Sequence, residues 1–191
     1  MHSVLSQKLI TPLGRTSLDP RAILKHCGIR GGQHVADFGC GHGHFTLAAS
    51  SLVGPRGKVF AVDIQSELLF AVQNEAAAHG HFNVHTIHAD LEKFGSTKIV
   101  NHSVDMVLVA NNHIDAHTLS KFFSEAVRVL KRGSTLVVLD WLPGNTVPYA
   151  PAIDDQVSRE TAISLATGMG LHVIDEFRAG RYHYGVRFRT A

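Results

Sequence analysis

Short apolar runs alternate with longer amphipathic segments along most of the chain. Continuously apolar runs, rich in β-branched residues, lie at residues 59–62, 84–87, 104–109 and 135–139. Apolar character without alternation predicts strands of a parallel sheet that is covered on both faces. The segments between the runs predict helices over residues 66–79, 116–130 and 159–168. This order of elements predicts an α/β fold.

Capping residues mark several helix ends. Asp19 followed by Pro20 predicts a helix start, because Asp is a favourable cap and Pro fits the first helical position. Gly80 predicts a glycine cap at a helix C-terminus. Ser158 predicts the N-cap of the last helix.

Towards the C-terminus, the alternation of predicted strands and helices gives way to two consecutive strands. Residues 171–177 and 182–189 are strand-like runs separated by a short segment with Gly180, which predicts a hairpin that ends the sheet. Residues 142–157 hold three prolines and a glycine and predict a loop. This loop follows the fifth strand at the edge where open α/β sheets bind ligands, so we expect it to cover a ligand site.

A glycine turn lies in the segment VADFGCGHGHFTLAAS, residues 35–50. A buried strand ends at Phe38, Gly39, Gly41 and Gly43 form a G-x-G-x-G turn, and a helix follows. This arrangement opens backbone N–H groups at a helix N-terminus to a ligand. Asp63 follows about twenty residues later, at the end of the next strand, where a carboxylate can accept hydrogen bonds from ribose hydroxyls. The segment predicts a site for an adenosine-containing cofactor.

The residues around the turn distinguish between cofactors. Dinucleotide sites use G-x-G-x-x-G/A, and His44 occupies the position of the third small residue. Asp37, just before the first glycine, would repel a pyrophosphate but attract an ammonium group. S-adenosylmethionine has an ammonium and a sulfonium and no phosphate. We therefore predict S-adenosylmethionine rather than NAD.

The motif D-F-G-C-G-H-G-H-F-T resembles motif I of the class I S-adenosylmethionine-dependent methyltransferases. The resemblance continues through VGPRGKVFAVDIQSELL, HADLEKF, SVDMVLVANN, EAVRVLKRGSTLVVLDW and YHYGVRFRT. Together these segments resemble the small methyltransferases related to the ubiquinone/menaquinone biosynthesis enzymes. The resemblance implies one Rossmann-like domain over residues 18–191, with residues 1–17 as an N-terminal cover or tail. It also implies a doubly wound, mainly parallel seven-stranded sheet of order 3-2-1-4-5-7-6 with an antiparallel C-terminal hairpin strand.

The resemblance also implies roles for cofactor-binding residues. The glycines would let the backbone approach the methionine end, Asp37 would meet the ammonium, and Asp63 would hold the ribose hydroxyls. The adenine would contact Ile64, Asp90 and Leu91, and the sulfonium would lie beside Ala110 and Asn111. The alternatives are a tight turn without ligand for the glycines and turn capping for Asp37. For Asp63 the alternative is a cap of the helix over residues 66–79, and for Asp90 it is a solvated turn carboxylate. As a loop carboxylate, Asp63 is expected to matter little for folding.

The methyl acceptor is less well defined by the sequence. The loop after the fourth strand departs from the N/D-P-P-Y/F motif of nucleic-acid amino-methyltransferases. His113 in that loop is the candidate catalytic base, because the unperturbed pKa of histidine is near 6.5. A surface histidine before a helix capped by Asp115 is the alternative. Trp141 and Tyr149 are the candidate substrate-binding residues, and His183 and Tyr184 would add an aromatic wall or serve only in packing.

Composition narrows the function class. The 191 residues have a formal net charge of +2, which argues against a large nucleic-acid footprint. The two cysteines form no disulfide framework, and the N-terminal residues contain no long apolar run, so we expect a cytoplasmic protein without a membrane span. The fourteen histidines are mostly scattered, and we expect no metal site.

These observations predict a methyltransferase, an enzyme that transfers the methyl group of S-adenosylmethionine to a small molecule. The alternatives are an RNA or protein methyltransferase, a cofactor-binding protein without transferase activity, and a nicotinamide-dependent oxidoreductase. The sequence does not determine the acceptor atom or the oligomeric state.

Overall fold

Seven strands form one sheet within residues 18–112, 114–144 and 156–191, the part of the chain that the computed structural model describes. The strands are β1 (His34–Phe38), β2 (Lys58–Asp63), β3 (Val84–His88), β4 (Val104–Ala110), β5 (Leu130–Trp141), β6 (His172–Ala179) and β7 (His183–Arg189). Their order is β3-β2-β1-β4-β5-β7-β6. β1 to β5 are mutually parallel, and β7 runs antiparallel to both β5 and β6. The predicted sheet order and the C-terminal hairpin are confirmed.

Five helices cover the two faces of this sheet in the described residues. They are α1 (Pro20–His26), α2 (His44–Val53), α3 (Ser66–Ala78), α4 (Ala116–Val129) and α5 (Arg159–Gly168). Asp19 caps α1 by accepting a hydrogen bond from the N–H of Ala22, and Ser158 caps α5 by accepting one from Thr161. Both predicted caps are confirmed. Gly80 follows the C-cap residue of α3, His79, and adopts a left-handed backbone conformation with a φ of +72° that ends this helix.

The junction between α4 and β5 differs from the prediction. The sequence predicts a helix to residue 130, a turn, and then a strand over residues 135–139, but β5 begins at Leu130, directly after α4. Val104 pairs with Leu130 and Met106 pairs with Thr135, so the intervening residues of β5 form a bulge. Gly133, at a φ of +70°, lies in this bulge.

Side chains of β5 alternate between two cores. Leu136 and Val138 pack on the side of α4 and α5, whereas Val137 and Leu139 pack on the side of α1 and α2. Because successive strand residues face opposite sides, Trp141 at the end of β5 lies on the side of α1 and α2. This alternation places Trp141 in the cavity described below.

Several predicted features fall outside the described residues. They are the N-terminal cover or tail (residues 1–17), residues 145–155 of the predicted loop, which include Tyr149, and His113. In the remainder of the chain, no helix has both the length and the apolar character needed to cross a bilayer.

Candidate active site

A cavity of about 680 Å³ opens at the carboxyl ends of the central strands. Strand ends contribute Asp37 from β1, Ala110 from β4 with Asn111 directly after it, Trp141 from β5 and His183 from β7. The glycine turn and the N-terminal residues of α1 and α2 complete its walls. Ligands of open α/β sheets bind at this edge, so the cavity is the candidate active site.

A second cavity of about 470 Å³ lies at the opposite ends of β2 and β3. Its lining includes Lys58, His79, Phe82, Asn83 and His85. It is remote from the glycine turn and from the carboxyl ends of the parallel strands, so we do not assign it a ligand.

The three glycines of the turn all have positive φ but differ in their surroundings. A Cβ at Gly39 would overlap the side chain of Asn112, and one at Gly43 would lie 2.8 Å from Cγ2 of Val72 in α3. A Cβ at Gly41 would meet no atom within 4 Å. Gly39 and Gly43 are thus required for close packing as well as for the turn, and Gly41 is the position open to a ligand.

Asp37 places a buried carboxyl group at the cavity wall. Its side chain is 2% exposed, and Oδ2 accepts a 2.6 Å hydrogen bond from the hydroxyl of Thr46 in α2. Burial raises the pKa of Asp37 to about 6, and the negative charge of Asp63 acts in the same direction, although the Thr46 hydrogen bond opposes both. A cationic ligand group beside Asp37 would favour its ionised form.

Asp63 links the glycine turn to the end of β2. Its Oδ2 accepts a hydrogen bond from the N–H of Gly41 at 2.9 Å, and its Oδ1 accepts one from Gln65 at 3.0 Å. The side chain is buried. Against the expectation from the sequence, we now predict that Asp63 matters for folding, because the carboxylate satisfies two backbone donors. Each of its two carboxylate oxygens has a further lone pair that can accept a hydrogen bond from a hydroxyl group.

The residues predicted to contact adenine lie away from the cavity lining. Ile64 is 60% exposed and presents an apolar side chain directly after β2. Asp90 accepts a hydrogen bond from the N–H of Glu92 and pairs with Lys93, and these contacts lower its pKa. Leu91 is buried in the core on the side of α4, so its backbone, rather than its side chain, is the group that could meet a ligand.

Asn111, Trp141 and His183 meet at the end of the cavity formed by β4, β5 and β7. The indole of Trp141 and the imidazole of His183 have centroids 4.2 Å apart. Asn111 Nδ2 lies 3.2 Å from His183 Nε2. His183 is 4% exposed. Of the residues considered as an aromatic wall, His183 lines the cavity, whereas Tyr184 is buried on the other face of the sheet, where its hydroxyl donates to the carbonyl of Val157.

Several residues that line the cavity were not predicted from the sequence. Leu18, Asp19, Pro20 and Arg21 bring the start of α1 to the cavity, and Phe45 and Ala48 bring α2. The Asp-Pro helix start marked α1, but no local pattern showed that it lies over the glycine turn. Asn112 was also missed. Its side chain lies against Gly39 and donates to the carbonyl of Phe38 at 3.0 Å, so it closes the turn from the β4 side.

The donor set at the cavity fits S-adenosylmethionine. Gly41 leaves open space at a left-handed turn, and Asp37 supplies an acidic group rather than the basic or neutral lining that a pyrophosphate needs. Within the described residues, no group of three histidine, cysteine or acidic side chains could hold a metal ion.

Comparisons with known proteins agree with this chemistry. Residues 35–133, more than half of the chain, match the family model described as a methyltransferase domain. The crystal structure of an S-adenosylmethionine-dependent methyltransferase from Aquifex aeolicus superposes with a TM-score of 0.81 at 27% identity. It covers 91% of this chain and 90% of that one.

Curated relatives include the ubiquinone/menaquinone biosynthesis C-methyltransferase UbiE of Hahella chejuensis, which is 31% identical over 68% of this chain and 51% of its own length. The demethylmenaquinone methyltransferase of Staphylococcus aureus is 28% identical over 63% of this chain and 48% of its own. The chain thus spans about half the length of these relatives. The predicted cofactor, S-adenosylmethionine, is confirmed by the family and by the Aquifex structure. The chain belongs to the methyltransferase domain family, as a class I S-adenosylmethionine-dependent methyltransferase related to the ubiquinone/menaquinone C-methyltransferases.

Proposed function

We propose that this enzyme transfers the methyl group of S-adenosylmethionine to a small-molecule acceptor bound in the cavity. The observation that carries the proposal is the continuity of the cavity. It joins the glycine turn and Asp37 at one side to Trp141 and His183 at the other. Its volume of about 680 Å³ lies within the range of about 300–1,000 Å³ that is common for small-ligand pockets.

The residues of β1 and α2 would hold the methionine end of the cofactor. Asp37 would pair with the ammonium, and the open side of Gly41 would admit the methionine backbone. Asp63 and the exposed Ile64 would hold the ribose and cover the adenine. Asp90 and the backbone of Leu91 would border the adenine, and Ala110 and Asn111 would border the sulfonium. Gly39 and Gly43 would act indirectly, by allowing the turn to pack.

The residues of the β4, β5 and β7 ends would bind the acceptor. Bound S-adenosylmethionine supplies a methyl group on a sulfonium that is already reactive. The protein then needs to align the acceptor with this methyl group and to exclude water. Alignment alone can supply much of the rate acceleration. Trp141 and His183 would form one aromatic wall beside the acceptor. The roles of His113 as base and of Tyr149 at the acceptor also belong to the proposal.

The relatives and the charge support a small acceptor. The names of the two curated relatives describe methyltransferases of ubiquinone and menaquinone biosynthesis and of demethylmenaquinone. The net charge of +2 provides little attraction for a phosphate backbone. We also propose a reducing, cytoplasmic location, which is supported by the two buried free thiols, Cys27 and Cys40.

A methyl-transfer screen tests the proposal. Purified enzyme and tritiated S-adenosylmethionine are incubated with the small-molecule filtrate of a bacterial extract, with total RNA, and with total protein. We expect label in the small-molecule fraction that is suppressed by S-adenosylhomocysteine. Labelling confined to RNA or protein would favour the macromolecular alternative, and absence of transfer with intact cofactor binding would favour a binding protein.

A further inference from the structure

Asn111 has an unusual backbone for a residue with a side chain. It follows β4 directly, has a φ of +52°, and donates its N–H to the carbonyl of Leu139 at 3.0 Å. Lys98 and His102 are the other non-glycine residues with positive φ in the described part of the chain. Of the three, Asn111 alone lines the cavity. Such residues concentrate at functional sites.

The side chain of Asn111 is anchored on one side only. Its Nδ2 lies 3.2 Å from Nε2 of His183 and donates to it when the His183 proton is on Nδ1. Its Oδ1 is buried and has no hydrogen-bond partner among the described residues. Because buried acceptors are nearly always paired in folded proteins, this oxygen is a candidate to accept a hydrogen bond from a ligand or from an ordered water molecule.

His183 is well placed to hold the amide in this orientation. The ring is almost fully buried and packs on the indole of Trp141. To accept from the Asn111 amide, Nε2 must carry the free lone pair, so the Nδ1 tautomer is the one that fits. With the proton on Nδ1, a half-turn of the amide would set Oδ1 against the lone pair of Nε2, so this tautomer keeps Oδ1 on its present side.

The position of Asn111 in the sheet relates it to the reacting centre. β4 lies between β1, which carries Asp37, and β5, which carries Trp141. Neighbouring strands are about 4.8 Å apart, so Asn111 lies between the proposed cofactor end of the cavity and its proposed acceptor end. An oxygen at this boundary can reach a group that projects from the acceptor towards the sulfonium.

We propose that Oδ1 of Asn111 accepts a hydrogen bond from an O–H or N–H group of the methyl acceptor beside the nucleophilic atom, and that His183 is the positioning residue that orients the Asn111 amide. The inference rests on the proposed function and deepens it. The acceptor class becomes a small molecule with a hydroxyl or amino donor at or next to the methylated atom.

The test uses two cofactor analogues, so it needs no knowledge of the acceptor. S-adenosylhomocysteine lacks the transferred methyl group. Sinefungin carries an amino-bearing carbon in place of the sulfonium, and its ammonium projects into the space between cofactor and acceptor. Calorimetry gives the ratio of the two affinities for each variant. Wild type should favour sinefungin, because its ammonium can donate to Oδ1.

Asn111→Gly separates a binding role from a backbone role. Glycine is favourable at a φ of +52°, so the variant should fold at least as well as wild type. Removal of a hydrogen bond to a charged group should lower the preference for sinefungin by about tenfold or more, with the affinity for S-adenosylhomocysteine retained. Asn111→Asp, which keeps an acceptor oxygen, should retain or increase the preference. Lys98→Gly is the matched control, because it relieves a φ of +55° at an exposed residue outside the cavity.

His183→Phe keeps a ring on Trp141 but removes the nitrogen acceptor. It should lower the preference for sinefungin without changing the affinity for S-adenosylhomocysteine, and His183→Gln should restore part of the preference. The fluorescence of Trp141, the single tryptophan of the chain, reports whether the wall remains packed.

Two results would overturn the inference. One is an unchanged preference in Asn111→Gly, and the other is an equal loss of affinity for both analogues, which would mean that Asn111 holds a part common to both. Either result would leave small-molecule methyl transfer as proposed. Labelling of RNA or protein alone in the methyl-transfer screen would instead remove the proposed function without altering the analogue ratio.

Discussion

At the scale of single residues, we expect Asp37 to set the pH dependence of cofactor binding. Burial raises its pKa to about 6, so the group titrates close to neutrality. A bound ammonium group would stabilise the ionised carboxylate and release a proton below that pH. The affinity for S-adenosylhomocysteine should therefore rise by up to about tenfold per pH unit below pH 6 and level off above it.

Asp37→Asn should remove this pH dependence and weaken binding at pH 8, since the amide carries no charge. Isothermal titration calorimetry in buffers of different ionisation enthalpy measures both the affinity and the proton release. The matched control is Asp140→Asn. Burial also raises the pKa of Asp140 to about 6, but this residue does not line the cavity. Binding by Asp140→Asn should keep the wild-type pH profile, and loss of the profile in this control would refute the assignment to Asp37.

The same shifts predict how stability changes with pH. Both carboxyl groups have a folded-state pKa raised from 3.8 to about 6, so the protonated form favours folding. Their contribution is complete below pH 3.8 and is lost as the pH rises through 6. Each Asp→Asn variant should thus increase the free energy of unfolding by about 1–3 kcal/mol at pH 8 relative to wild type. Urea unfolding at pH 5 and pH 8 measures this change in the free energy of unfolding. An equal change at both pH values would contradict the raised pKa values of the two carboxyl groups.

We expect Asp63 to combine a binding role with a structural one. Asp63→Ala should weaken binding of S-adenosylhomocysteine by about 1.5–3 kcal/mol and also lower the free energy of unfolding by about 1–3 kcal/mol, because the N–H groups of Gly41 and Gln65 lose their acceptor. Asp115→Ala is the control, since Asp115 caps α4 by accepting from Thr118. It should lower the stability of the fold through loss of the helix cap and leave binding unchanged. Unchanged affinity in a folded Asp63→Ala variant would make Asp63 a turn residue only.

At the scale of elements, the glycine turn and helix α3 fit together at Gly43. Gly43→Ala should destabilise the fold, because the new Cβ would lie 2.8 Å from Val72 and the φ of +77° is unfavourable for alanine. The double variant Gly43→Ala/Val72→Ala should recover the steric part of the loss relative to Val72→Ala alone. Gly41→Ala also places alanine at an unfavourable φ, +52°, but the new Cβ meets no neighbour, so this variant should destabilise the fold less than Gly43→Ala and weaken binding of S-adenosylhomocysteine more. Thermal unfolding measures the stability of the Gly43→Ala and Gly41→Ala variants, and calorimetry measures their binding. If Gly41→Ala lost more stability and less binding than Gly43→Ala, Gly41 would not be the glycine that is open to the ligand.

Helix α4 anchors the loop that follows β3. Glu125 is fully buried and accepts hydrogen bonds from Arg128, from the Thr97 hydroxyl and from the N–H of Gly95. Burial opposes ionisation of Glu125, but these hydrogen bonds outweigh it and lower its pKa to about 2. Its stabilising contribution is therefore present above pH 4.5 and is lost as the pH falls through 2.

Glu125→Gln should lower the free energy of unfolding by about 3–5 kcal/mol, since it leaves the mostly buried Arg128 without its counter-charge. Urea unfolding at neutral pH measures the loss. Lys131→Met, which breaks the more exposed pair with Asp105, is the control and should cost less than about 1 kcal/mol. Equal losses in the two variants would show that the buried pair is no more important than the exposed one.

At the scale of the whole molecule, elements and sheet order could be predicted because their signals are local or belong to the family motif. The apolar run of β4, the Asp-Pro start of α1 and the G-x-G-x-G turn are each contained within a few residues. The residues that shape the cavity were harder to predict. Asn112 closes on Gly39 from a loop more than seventy positions away, and Asn111 meets His183 across a similar separation. Such pairs depend on how strands are placed side by side, and no local pattern encodes them.

The predicted ends of helices and strands were wrong where a local sequence signal conflicts with strand pairing in the sheet. The Lys-Arg-Gly segment after α4 has the composition of a turn, but pairing with β4 draws it into a bulged start of β5. Asp63 was underestimated for a related reason. A carboxylate after a strand looks solvent-exposed in sequence, whereas the return of the glycine turn buries it against Gly41.

The central claim is that one cavity holds the methionine end of the cofactor beside Asp37 and Gly41 and leaves the Asn111, Trp141 and His183 end for the acceptor. A crystal structure with S-adenosylhomocysteine would show where each part of the ligand lies. We expect the amino group of the ligand beside Asp37, the ribose hydroxyls on Asp63, and the sulfur beside Ala110 and Asn111, with open space between the sulfur and Trp141. Adenine in the space next to Trp141 and His183, or a ligand bound away from the glycine turn, would contradict it.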